Sequence, residues 1–145
     1  MDALTDERGQ ALVVAVLFLA VAAVVIGGLR FAQERILAVS REHRAGEAAA
    51  EAATAVVADA YVAELRRVAA STSSPPPTPD VFRAVSAPGT RESARVAASD
   101  LSLLNGGDPI SELSIRCERG AVDVALILNG RRYRAGFAAP QCSPR

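Results

Sequence analysis

Residues 9–29 read GQALVVAVLFLAVAAVVIGGL and carry no charged side chain; the strongly polar Gln10 stands at the edge. From Ala11 to Leu29 an α-helix would rise roughly 28 Å, close to the ~30 Å hydrocarbon core of a bilayer. A helix satisfies its own backbone hydrogen bonds, so it can sit in lipid without exposing polar groups. A soluble core helix that is apolar on every side needs protein wrapped around it, and the rest of this chain is too small to do that. The stretch therefore reads as a single membrane-spanning helix.

Outward from it, residues 30–70 contain no proline and one glycine, Gly46. Ala, Glu and Arg, all good helix formers, dominate. Apolar residues recur at helical spacing at Ile36 and Val39, then at Val57, Tyr61, Leu65 and Val68; Glu47 and Glu51 lie one turn apart on a polar face. The pattern predicts one helix from about residue 11 to 70, with Gly27-Gly28 and Gly46 as kink points. The Ala-rich middle either lets other helices approach closely or is a solvated face enriched by codon bias. Residues 71–80, STSSPPPTPD, end the helix as an extended linker. Asp80 starts a short helical turn at 81–85, and Pro88-Gly89 breaks the chain again. A helix is predicted over 91–104, with Thr90 as N-cap and Val96, Leu101, Leu103 and Leu104 as its apolar residues. Asn105-Gly106-Gly107-Asp108-Pro109 ends it.

The tail alternates. Leu113, Ile115 and Cys117 form one strand pattern; Val122, Val124, Leu126 and Leu128 form a second. Asn129-Gly130 is a two-residue hairpin signal, and Glu118-Arg119-Gly120 is the other turn. The return strand, 131–137, sets Tyr133, Ala135 and Phe137 on one face and Arg132 and Arg134 on the other. The expected fold class is α+β: a long N-terminal helix that spans the membrane and continues as an amphipathic helix, then a small helix and a three-stranded antiparallel sheet. Three strands alone are marginal, so one face must pack on the 91–104 helix or on the far end of the long helix.

Sixteen basic residues, all Arg, balance sixteen acidic ones, so charge predicts no nucleic-acid partner. No nucleophile elbow, phosphate loop or metal-ligand cluster appears, and the single histidine, His43, reads as a solvated helix residue. The expectation is a non-enzyme with no cofactor, no metal and no small-molecule substrate. Cys117 and Cys142 fit no zinc spacing. They form a disulfide if that end of the chain lies in an oxidising compartment, and stay free thiols if it does not.

The junction Glu7-Arg8-Gly9-Gln10-Ala11-Leu12-Val13 places a charged leader ending in Gly directly before the apolar helix. It resembles the class III signal of type IV pilin-like proteins, and especially the TadE/TadG-like proteins of tight-adherence (Flp) pilus systems. These commonly begin with Arg-Gly-x-Ala-x-Val and continue into an extended helix with an Ala-rich part, here residues 45–60. The resemblance implies a pilin-like architecture. A prepilin peptidase would cut after Gly9 and leave Gln10 as the new N-terminus. The chain then divides into a leader (1–9), a transmembrane helix (10–29), an extended helix (30–70), a linker (71–80) and a small α+β head (81–145). The implied place is the inner (cytoplasmic) membrane, single-pass, with the head extracytoplasmic, and the implied partners are other pilin-like subunits packed along the N-terminal helix. Pilins usually carry Glu at the fifth mature position, which here is Val14. That departure favours a minor pseudopilin, a tip subunit or an uncleaved assembly factor over a major filament subunit.

Charge counting points the other way. Arg8 precedes the apolar helix, whereas Arg30, Arg35, Arg41 and Arg44 follow it, so the positive-inside rule would place the C-terminal side in the cytoplasm. The alternative is thus a bitopic adaptor with a cytoplasmic C-terminal domain. A third reading is a secreted protein cut after Ala22.

Overall fold

The computed structural model describes residues 6–75 and 77–142, with side chains described from Val13 onward. The elements, in order, are α1 (Asp6–Ala69), α2 (Val81–Ser86), α3 (Pro88–Leu104), β1 (Glu112–Glu118), β2 (Ala121–Leu128) and β3 (Arg131–Ala138). The fold class is α+β. The chain divides into two compact units at Ser40/Arg41.

In the first unit, the side chains of residues 13–39 are all exposed. This part of α1 is long and apolar enough to cross a bilayer, and none of its apolar window is buried by protein. Gly27 and Gly28 have open space around them and the helix passes through both without a break. The helical assignment likewise continues through Gly46, so none of the three glycines ends the helix.

The second unit begins with the remainder of α1. Ala45, Ala49, Ala53, Val57 and Tyr61 recur every fourth residue and are buried, so the Ala-rich stretch is one wall of a core rather than a solvated face. Val81 and Val85 of α2, Ala94 and Ala98 of α3, and Val122, Val124, Leu126 and Leu128 of β2 complete the same cluster. Small side chains on α1 let the opposing elements approach its backbone closely. Residues of the long helix and of the C-terminal α+β region therefore share one core.

Asp80 caps α2, its Oδ1 accepting from the Arg83 N–H at 3.2 Å. α3 departs from expectation in two ways. It starts at Pro88, not at residue 91, because proline pre-sets the first-turn φ and lacks only an N–H that would be unpaired there. Thr90 is consequently inside the helix, where its Oγ1 donates to the Ala84 carbonyl at 2.9 Å instead of capping. The buried face is also different. Ala94, Ala98 and Ser102 point inward, Leu101 is half-buried, and Val96, Leu103 and Leu104 are exposed. The reason is close approach: a β-carbon on Gly107 would lie 2.7 Å from both the Ala45 Cβ and the Ser102 Oγ.

The sheet is antiparallel in the order β1-β2-β3. Arg119-Gly120 and Asn129-Gly130 all have positive φ, the backbone of two-residue turns whose twist matches the strands. Leu113 pairs with Leu126, Leu126 with Tyr133, and Cys117 with Val122. The inner face thus carries the apolar set expected from alternation. The outer face carries Ser114, Arg116, Asp123, Ala125, Arg132 and Arg134. Phe137 meets Tyr61 edge-on with ring centroids 5.5 Å apart.

Candidate functional site

The residues expected to direct processing, Gly9 and Gln10, lie in the first turns of α1, and their side chains fall outside the described residues. The leader residues 1–5 lie outside them altogether. Beyond Gly9 and Gln10, α1 presents an apolar surface without a protein cover: Phe18 and Leu19 are each 71% exposed. Just past the end of this surface the Arg35 guanidinium lies 5.7 Å from the Phe31 ring centroid, a cation–π contact.

Cys117 and Cys142 form a disulfide. It fastens the segment after β3 to β1. The same segment is held by backbone bonds: the Gly120 N–H donates to the Cys142 carbonyl at 2.7 Å, and the Ala139 N–H donates to the Gly120 carbonyl at 2.8 Å. The Tyr61 hydroxyl donates to Gln141 Oε1, a second tie from this segment, this time to α1.

A third feature was invisible in the sequence. A cleft of about 410 Å³ is lined by His43, Glu47 and Glu51 of α1 and by four consecutive β3 residues, Arg132, Tyr133, Arg134 and Ala135. His43 keeps the exposed position expected for it, its Nε2 3.2 Å from Glu47 Oε1 and its ring centroid 5.9 Å from that of Tyr133. Among the described residues, the buried Tyr133 hydroxyl has no hydrogen-bond partner. Among the described residues, no three His, Cys, Asp or Glu side chains come together as a metal site.

The exit from α1 is fixed electrostatically. Glu64 accepts two hydrogen bonds from Arg67, each 2.7 Å, and one from the Asp80 backbone N–H at 3.0 Å. The Arg67 bonds, then the Asp80 N–H, hold the Glu64 carboxyl down at about 2. Glu64 so ties the far end of the Pro-rich linker back to α1.

Compared with protein-family models, with curated proteins and with solved structures, the chain matches none. The geometry therefore has to carry the functional reading. It presents an uncovered apolar helix, a disulfide-closed sheet and an open cleft at one strand.

Proposed function

We propose that this chain is a structural, non-catalytic, pilin-like membrane subunit, a minor pseudopilin or assembly component of a tight-adherence pilus or a related secretion apparatus. The observation that carries this reading is the division of labour within α1. Its first part exposes an apolar side chain at nearly every position from 13 to 29, while its second part contributes an Ala stripe to a folded core. Exposed apolar surface of that extent requires lipid or neighbouring helices to cover it. In a pilin-like life cycle it would have each in turn, lipid before assembly and sister subunits after it. The Cys117–Cys142 bond supports an oxidising, extracytoplasmic location for the head.

The test is the N-terminal residue of membrane-extracted protein, by intact mass and peptide mapping. A start at Gln10, abolished by Gly9→Phe, is the expected result. A start at Met1 removes the prepilin-peptidase reading, and a start at Ala23 makes the apolar stretch a signal peptide.

A second reading is favoured by Arg30, Arg35, Arg41 and Arg44, which follow the apolar stretch. It is a bitopic anchor with a cytoplasmic C-terminal unit. It requires free thiols at Cys117 and Cys142 in the cell, so alkylation of unreduced cells separates the two readings.

A further inference from the structure

The cleft beside β3 has a specific geometry. Consecutive strand residues point to opposite faces of a sheet, yet Arg132, Tyr133, Arg134 and Ala135 all line it. A cleft touched by both faces of one strand, and by no residue of β1 or β2, runs along that strand's edge. β3 is an edge strand in the order β1-β2-β3. The opposite edge strand, β1, has α2 and α3 beside it.

The backbone groups on that edge can be assigned. Asn129-Gly130 forms a two-residue turn with positive φ at both positions, which makes the flanking pair Leu128 and Arg131 a hydrogen-bonded one. Alternation then turns the N–H and C=O of Tyr133, Ala135 and Phe137 toward β2. Those of Arg132, Arg134 and Gly136 turn outward. The bond from the Ala139 N–H to the Gly120 carbonyl falls on the parity this requires. Among the described residues, no backbone partner is present for the outward groups.

We infer that the open edge of β3, with the cleft against α1, accepts an extended segment of a partner protein as a fourth strand, one in which acidic side chains alternate with small apolar ones. Strand addition to an exposed edge takes its affinity from main-chain hydrogen bonds and its selectivity from alternate side chains. Residues of the incoming strand opposite Arg132 and Arg134 share their face of the sheet. Both arginines are exposed and, among the described residues, have no ion-pair partner, so carboxylates complement them there. The residues between fall on the face of Tyr133 and Ala135, beside His43, Glu47 and Glu51 of α1, whose carboxylates disfavour acidic side chains there and leave small neutral ones as the complement. The β3 strand of a second copy is a poor occupant, because it would set these arginines against their own kind. This inference concerns the head and does not depend on processing or membrane topology.

The test uses the full chain in detergent micelles and a fluorescein-labelled, end-capped seven-residue peptide in which Glu alternates with Val. Saturable binding by anisotropy is expected, weakened roughly ten-fold or more by Arg132→Glu with Arg134→Glu. That double variant should instead bind the peptide with Lys in place of Glu, which also shows that it is folded. N-methylation of the peptide amides along one edge should abolish binding. Amide exchange at Arg132, Arg134 and Gly136 should be fast in the free protein and slowed by the peptide. Equal binding of the N-methylated peptide would reduce the effect to charge alone and overturn the inference. So would protection of those three amides that rises with protein concentration before peptide is added, which would assign the edge to a second copy. Absence of peptide binding would overturn it as well.

Discussion

Tyr133 of β3 lies across Gly46 of α1, its ring occupying the space that a β-carbon at residue 46 would need. This contact locks strand to helix, and it inverts the usual effect of a helical glycine. At an exposed mid-helix site, Gly→Ala stabilises by about 1 kcal/mol through backbone entropy. Here Gly46→Ala drives a methyl into a ring that is itself buried, and overpacking of that kind costs about 1–3 kcal/mol. We expect a net loss of stability by denaturant unfolding. The loss should shrink when Tyr133→Ala is combined with it, because the ring that clashes is gone. Stabilisation by Gly46→Ala alone would remove the close-approach explanation.

α3 offers a contrast within one helix. Leu104 is 82% exposed, whereas Ala98 is fully buried. Leu104→Ser should change stability by no more than about 0.5 kcal/mol. Ala98→Leu should cost about 1–3 kcal/mol, since the added volume meets packed atoms. If the leucine face were the buried one, the two results would exchange. Unfolding midpoints of the two variants decide it.

The disulfide closes a sequence separation of 25 residues around β2, β3 and both turns. Chain-entropy arguments give a loop of this size about 3 kcal/mol of stabilisation. Replacing both Cys117 and Cys142 by Ser should lower the thermal midpoint of the C-terminal unit, and reductant should lower the wild type to match. Reductant should leave the double variant unchanged. Identical midpoints for wild type with and without reductant would show that the bond adds nothing.

Glu64 makes stability pH-dependent in a defined window. Its carboxyl is lowered from 4.5 to about 2 by its bonds to Arg67 and to the Asp80 N–H. A depressed folded-state value means the unfolded chain binds the proton more readily, so the contribution is present above the ordinary Glu range. It should be lost progressively as pH falls from about 4.5 toward 2. Wild type should therefore exceed Glu64→Gln in unfolding midpoint at neutral pH, and the gap should close in acid. A gap independent of pH between 6 and about 2 would contradict the ionic origin of this tie.

Much of the architecture was legible along the chain. The apolar run, the absence of proline to residue 70 and the helix formers within it specify α1 almost to its last turn. Asp80, Asn129-Gly130 and the strict alternation around them specify the α2 cap, the second hairpin and the inward face of every strand. These features are local: a cap, a turn or an alternating face depends on a few adjacent residues. The position of Thr90 inside α3 is not legible, because Pro88-Gly89 suits both a break and a helix start, and only the preceding backbone distinguishes them. The role of Gly46 in receiving the Tyr133 ring is not legible in sequence, because a glycine that bends a helix and one that receives a ring look alike there. The cleft was not legible, since His43, Glu47 and Glu51 are far from residues 132–135 along the chain and meet them only through folding.

The order of residues alone dictates which segments are helix, strand and turn, and that residues 9–29 are too apolar to be left in water. Backbone propensity, turn chemistry and hydrophobic period act over a few residues, so one chain read in order contains them. Packing in three dimensions was needed to settle which face of α3 is buried, why residue 46 is glycine, and which edge of the sheet stays open. Those outcomes depend on how closely two distant surfaces can approach, and there the small residues Ala45, Gly46, Ala94, Ala98 and Gly107 outweigh the larger leucines that hydropathy alone would place inside.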